Sequence, residues 1–179
     1  FKYIDAANVD LKAFTENFYW KITDAHLQPI LDTLLYLKHE TQVWLELTTL
    51  LIPGENDSNS ELEEMTGWVV EHLGPDVPMH FTAFHPDWKM LDVPPTPPVT
   101  LRRAREIAMR NGVRYAYVGN VHDPDADSTW CHQCGHKLIG RDWYVLSDWN
   151  ITADGTGDVP TIQEAVDRAV PGDLILLAP

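Results

Sequence analysis

Asn8-Val9-Asp10-Leu11-Lys12 is the stretch on which the reading of this chain turns. It reads as the end of a buried strand. Successive side chains of a strand alternate between its faces, so Asn8, Asp10 and Lys12 share one face while Val9 and Leu11 take the other. Burying a carboxylate and an ammonium without partners costs several kcal/mol, so three polar groups in succession on one face demand an explanation. Two are open. The strand end reaches solvent and carries a surface ion pair, or it forms the mouth of a barrel where the carboxylate and the ammonium meet a zwitterionic ligand.

Outward from this stretch, strands alternate with helices. The sequence predicts strands over 2–11, 42–52, 78–84 and 113–118. Thr15 caps a short helix that runs to about residue 22. A second helix over 25–39 carries Leu27, Ile30, Leu31, Leu34 and Leu35 at helical spacing, with Pro29 tolerated in its first turn. Ser58 and Glu61 form a capping box for a third helix, whose Leu62, Met65, Val69 and Leu73 share a face and which ends at Gly74-Pro75. Thr100 caps a fourth helix with Leu101, Ala104, Ile107 and Ala108 inward, closed by Asn111-Gly112. Between the third strand and this helix lies a long proline-rich loop, residues 85–98. Repeated βα units with strands this apolar imply a parallel sheet covered by helices.

The chain has 179 residues, of which 44% are hydrophobic and 22% charged, which suits one core with an appendage. It starts at Phe1 and is expected to be part of a longer protein. A net charge of −14 argues against nucleic acid and against an anionic membrane surface. No apolar run approaches the roughly 18 residues that span a bilayer. The two cysteines, Cys131 and Cys134, stand in a CxxC spacing that belongs to metal or redox chemistry rather than to a secreted disulfide framework; a reducing, cytoplasmic setting is expected.

Ligands of parallel α/β folds bind at the carboxyl ends of the strands, and each predicted strand ends in useful chemistry. The first supplies Asp10 and Lys12. The second supplies Glu46, Thr48 and the segment from Leu50 to Gly54, where a glycine turn lets backbone approach a ligand. The third supplies Thr82 and the run His85-Pro86-Asp87-Trp88-Lys89, and the last Asn120 and His122.

Together, Asn8-Val-Asp-Leu-Lys12, Leu51-Ile-Pro-Gly-Glu-Asn-Asp57, His80-Phe-Thr-Ala-Phe-His-Pro-Asp-Trp-Lys-Met90 and Gly119-Asn-Val-His122 resemble the second half of a radical S-adenosylmethionine (SAM) enzyme. Within that family they are similar to the member of the Memo/AMMECR-type gene system, often labelled pyruvate formate-lyase activating enzyme-like. The resemblance implies an α/β fold, the C-terminal half of a partial (βα)6 barrel, with SAM and a [4Fe-4S] cluster at its open top. The implied activity is reductive cleavage of SAM to a 5′-deoxyadenosyl radical for hydrogen abstraction, with a protein substrate or Memo/AMMECR-type proteins as partners. By motif match, Asp10 and Lys12, beside Asn8, would hold the methionyl group of SAM. His85 would stand near the adenosine, the backbone at Leu50 would run along the adenine, and Thr48 would line the site. The family's CxxxCxxC cluster motif is absent, so the chain by itself is expected to be inactive.

Trp130-Cys-His-Gln-Cys-Gly135, followed by Leu138-Ile-Gly-Arg-Asp-Trp143, reads as half a zinc ribbon, in which Cys131 and Cys134 would share one metal ion. The resemblance implies a second CxxC near residue 155, where the chain instead reads Ala153-Asp-Gly-Thr-Gly157. Beyond it, a capping box at Thr161 and Glu164, an apolar stripe from Ile162 to Val170 and a strand from Leu174 to Leu177 resemble the entrance of a pectin-lyase-like β-helix. The expected organisation is a truncated barrel over 1–129, an incomplete zinc-ribbon-like knuckle over 130–150 and a helix-strand tail over 151–179. Two rival readings are a non-catalytic scaffold whose acidic rim and exposed prolines bind a partner, and a metal-dependent barrel hydrolase using Asp10, His80, His85 and His122.

Overall fold

The computed structural model describes residues 3–142 and 145–147. The tail after residue 147, with its predicted capping box and strand, lies outside the described residues. The chain divides into two compact units with the break between Ala126 and Asp127.

The first unit is a run of βα units. β1 (Ala6–Asp10) is followed by α1 (Glu16–Phe18), which widens into a π-helical turn, Tyr19–Thr23, and then by α2 (Leu27–Glu40), β2 (Trp44–Leu51), α3 (Asn59–Leu73), β3 (Met79–Ala83), α4 (Pro98–Arg110), β4 (Ala116–Gly119) and α5 (Pro124–Asp127). The four strands are parallel and stand in sequence order, β1-β2-β3-β4. Parallel crossovers are right-handed. When consecutive strands are neighbours, every crossover helix therefore lands on the same face, which is the winding of a barrel rather than of a doubly wound sheet. The expected α/β class and partial-barrel architecture are thus present.

The helix-covered face holds the core. Leu45, Leu47, Leu51, Met79, Phe81, Ala116 and Val118 point from the strands toward Leu31, Leu34, Leu37, Leu62, Met65, Val69, Leu73, Leu101, Ala104 and Ile107 of α2, α3 and α4, and all are buried. The helical spacing read from the sequence finds these positions in all three helices, apart from Leu37.

Local caps depart from expectation in three places. α2 has no cap from its own preceding residue; the Glu16 carboxylate, eleven residues upstream, accepts from the Leu27 N–H at 3.0 Å and also pairs with the His26 ring. α4 starts at Pro98 rather than after Thr100, because proline fits the first helical position, where no N–H is required. At α3, Ser58 Oγ accepts from the Glu61 N–H at 3.3 Å as expected, but Glu61 does not complete the capping box. Its carboxylate accepts from the Phe14 N–H at 2.7 Å, tying the loop after β1 to α3.

The second unit carries an antiparallel sheet of β5 (Thr129–Trp130), β6 (Lys137–Asp142) and β7 (Val145–Ser147). The CxxC turn links β5 to β6. No helix among the described residues is long and apolar enough to cross a membrane.

Glu61 is 8% exposed, and burial, aided by the nearby Glu64 and Asp57 carboxylates, raises its pKa above the ordinary value. A carboxyl whose pKa is raised by folding contributes fully while protonated, and that contribution is lost as pH rises through the folded pKa. Glu61→Gln keeps an oxygen for Phe14 and removes the charge. It is expected to raise stability in urea unfolding at neutral pH, with the gain disappearing below about pH 4, where carboxyls protonate.

Candidate functional site

Parallel sheets are normally apolar on both faces. Here the face away from the helices is polar. It presents Asn8 and Asp10 from β1, Glu46, Thr48 and Leu50 from β2, His80 and Thr82 from β3, and Tyr117 and Gly119 from β4, all exposed or half-buried. The register aligns Asp10, Thr48, His80 and Tyr117 in one row across the four strands. Such a row is what the lining of a ligand-bearing barrel requires.

Asp10 and Lys12 meet at the end of β1, with Lys12 Nζ donating to Asp10 Oδ2 at 2.9 Å. Their side chains are 55% and 37% exposed, so the strand end is open to solvent rather than buried. The backbone beneath the pair is held from several sides. The Leu11 N–H donates to the Thr48 carbonyl at 3.0 Å, and Thr49 Oγ1 donates to the Leu11 carbonyl at 2.7 Å. The Lys12 N–H donates to the buried Tyr19 hydroxyl at 3.1 Å. Asn56 closes the arrangement. Its carboxamide, 2% exposed, donates to the Lys12 carbonyl at 2.5 Å and the Leu50 carbonyl at 2.9 Å, and accepts from the Ile52 N–H at 2.7 Å. One side chain thus joins the ends of β1 and β2 to the Pro53-Gly54 turn, where Gly54 takes the left-handed φ of 80° that a side chain would resist.

The other expected residues are placed as follows. Thr48 Oγ1 donates to Asn8 Oδ1 at 2.7 Å, so these two bridge β1 and β2. Leu50 contributes a half-buried side chain, but its carbonyl is taken by Asn56. His85 lies beyond β3, exposed, with Nδ1 3.3 Å from Asp87 Oδ2. Its loop is pinned below by Thr96, whose hydroxyl donates to the Leu51 carbonyl at 2.5 Å and accepts from the Phe84 N–H at 2.9 Å. Asn120, in the left-handed region, reaches the Ala83 carbonyl at 3.2 Å and ties the ends of β3 and β4 together.

The proposed hydrolase constellation does not assemble. His80 is held by Glu46 on the sheet face and His85 by Asp87 in the loop. Among the described residues, no three His, Cys, Asp or Glu side chains converge closely enough to hold a metal ion.

In the second unit, the Cys131 carbonyl accepts from the Gly135 N–H at 2.8 Å and the Cys131 N–H donates to the His136 carbonyl at 2.7 Å. Gly135 takes a φ of 71°. Backbone N–H groups of Cys134 and Gln133 aim at the Cys131 sulfur and lower its pKa, favouring the thiolate that binds metals. Both cysteines are free thiols.

No protein-family model matches the chain. It is 41% identical over 151 residues to "Uncharacterized protein MJ0808" of Methanocaldococcus jannaschii, an alignment that takes in 84% of this chain and 44% of the relative. The chain therefore spans less than half of that relative's length. Among solved structures, it is similar to a domain of pyruvate-formate lyase-activating enzyme from Bacteroides vulgatus ATCC 8482, with a TM-score of 0.56 at 14% identity, covering 65% of this chain and 68% of that one. At that identity the likeness establishes the fold.

Removing a buried hydrogen-bonding group leaves its former partners unpaired, at about 1–3 kcal/mol each. Asn56→Ala leaves three such partners and is therefore expected to lower unfolding free energy by about 3 kcal/mol or more, measured by urea denaturation. Amide exchange should accelerate at Ile52, whose N–H loses its acceptor, before it does in the helices.

Proposed function

We propose that this chain is the C-terminal half of a radical SAM barrel and carries the part of the site that grips the methionyl end of SAM. The observation that supports this best is the Asp10–Lys12 pair standing at the carboxyl end of a strand, on a sheet face that is polar across all four strands. The motifs read from the sequence point to the same family, and the fold is that of an activating-enzyme domain.

In this reading Lys12 takes the methionyl carboxylate and Asp10 the ammonium, each as a charge-assisted hydrogen bond. SAM must open the existing bridge to do so. An exposed ion pair is worth about 0–1 kcal/mol, so opening it is cheap against two new charge-assisted contacts. The backbone clamps from Tyr19 and Asn56 keep Lys12 in place before the ligand arrives, which lowers the ordering cost of binding. Asn8 and Thr48 line the floor, the Leu50 side chain offers apolar surface to the adenine, and His85 reaches the adenosine from its exposed loop.

The residues present do not fit a [4Fe-4S] cluster. Both cysteines sit in the knuckle, while the resemblance implies three thiolates in a CxxxCxxC motif. Cluster ligands, and with them the electron for reductive cleavage, belong in this reading to a part of the protein outside this chain. What these residues do is bind and orient SAM for hydrogen abstraction from a substrate, which the Memo/AMMECR-like motifs suggest is a protein. Cys131 and Cys134 would fill two positions of a tetrahedral zinc site, since the turn holds them in CxxC spacing and favours the thiolate of Cys131.

The whole gene product, reconstituted anaerobically with iron and sulfide, is expected to form 5′-deoxyadenosine from SAM under dithionite. Asp10→Ala and Lys12→Met should each weaken SAM binding by about tenfold or more, equivalent to about 1.4 kcal/mol, in equilibrium dialysis. A wild-type protein that neither binds SAM nor forms 5′-deoxyadenosine would sink the reading. Zinc released by a mercurial and counted with a chromogenic chelator should be stoichiometric in the wild type and lost in Cys131→Ser.

A further inference from the structure

We propose that Glu46 and His80 form a second recognition point on the inner sheet face: the carboxylate fixes the imidazole, and ring atom Nδ1 accepts a hydrogen bond from a hydroxyl or ammonium group of a small polar molecule lying over the sheet. The inference rests on the reading of that face as ligand-facing.

Both oxygens of Glu46 are engaged. Oε1 accepts from the Trp44 indole N–H at 3.0 Å, and Oε2 lies 2.8 Å from His80 Nε2. An ionised carboxylate only accepts hydrogen bonds, so His80 Nε2 carries the proton of this contact. In the neutral ring Nδ1 is then the acceptor, with its lone pair directed away from Glu46. The ring plane is held by stacking on Tyr117, with centroids 5.2 Å apart and planes 25° from parallel. A base oriented by a carboxylate and fixed in one plane is the arrangement used to present an imidazole nitrogen to a ligand.

Nδ1 of His80 has no hydrogen-bond partner among the described residues. The His80 and Glu46 side chains are 30% and 33% exposed, so the pair is half-buried on a face that stays open to a ligand.

Position and charge define the ligand. His80 lies two strands from Asp10 on the same row, and strands are about 4.8 Å apart, so the two Cα atoms are about 10 Å apart. That is too far for His80 to share the methionyl group and close enough for it to hold a neighbouring molecule. Thr48 lies between them on the row, and Glu46, two residues before it on β2, and Thr82, two residues after His80 on β3, make the surroundings of His80 a carboxylate and hydroxyls. Acceptors of this kind favour hydroxyl and ammonium donors and repel anions.

Long-range 1H–15N spectra of the whole gene product labelled with 15N-histidine, taken at mildly alkaline pH, test this. His80 is assigned by the loss of its signals in His80→Gln. The expected result is His80 as the Nε2–H tautomer, with an Nδ1 resonance that shifts on adding ethanolamine and stays put on adding acetate. Glu46→Gln, which keeps the side chain's shape, should mix the tautomers and abolish the ethanolamine response. A predominant Nδ1–H tautomer, no response to ethanolamine, or an equal response to acetate would overturn the proposal. The sample contains neither SAM nor reductant, so failure here is distinct from failure to form 5′-deoxyadenosine.

Discussion

The carboxamide of Asn56 is the contact on which the rim depends. Parallel strands give up their pairing at their carboxyl ends, where the chain must leave the sheet and loop back over a helix. There the last carbonyls and N–H groups lose their ladder partners and, if buried, each must find another. Asn56 answers for three of them at once, just past β1, on β2 and in its own turn. Only an amide can do this, because the task needs two donated protons and one acceptor from a single planar group. The Thr96 hydroxyl serves the β2 and β3 ends similarly, and the Asn120 side chain the β3 and β4 ends. A row of side-chain clamps thus runs along the edge where ligands of this architecture bind, and the residues that face the ligand start from a fixed backbone.

Consecutive strand order has a second consequence. With α2, α3 and α4 on one face, the other is left largely uncovered among the described residues, apart from Leu50 against the cluster of Phe18 and Tyr19, and its side chains need not be apolar. The alternating burial along β2, where Leu45, Leu47, Thr49 and Leu51 are buried while Glu46, Thr48 and Leu50 are partly open, records this division. In a sheet covered on both sides the same strand would read as a continuous hydrophobic run. Glu46 and Thr48 in the middle of such a strand are therefore the sequence's sign that one face is reserved for chemistry.

Much of this was legible beforehand. The apolar positions of α2, α3 and α4 follow helical spacing closely enough to fix both the helices and the side they bury. The strand ends and the rim residues were also readable, because proline and glycine mark where strands stop. What failed did so for nonlocal reasons. Glu61 matches a capping box in sequence, yet it is drawn to the Phe14 N–H, 47 residues away, a partner that only the fold brings near. Glu16 caps a helix that begins eleven positions later for the same reason. Asn56 stood within a quoted motif, and nothing local distinguished it from its neighbour Asp57. The cysteine segment was legible as a turn, which Gly135 closes in the left-handed region.

The two carboxylate pairs of the inner face illustrate how burial assigns different uses to similar groups. Asp10 and Lys12 lie in the open, so their attraction is screened, and exchanging it for a ligand's opposite charges costs little. Glu46 and His80 are about two-thirds covered, with the indole of Trp44 on one oxygen and the Tyr117 ring against the imidazole. Breaking that pair would strand a carboxylate in a place poorly reached by water, so it stays closed and acts through the atom it leaves uncovered. An exchangeable pair suits a cosubstrate that must come and go; a fixed pair suits discrimination, because a ligand lacking the matching donor leaves a polar atom unpaired. The sheet places Asp10 and His80 on one row, the first on the edge strand β1 and the second on β3. The order of exposure therefore matches the roles proposed for them.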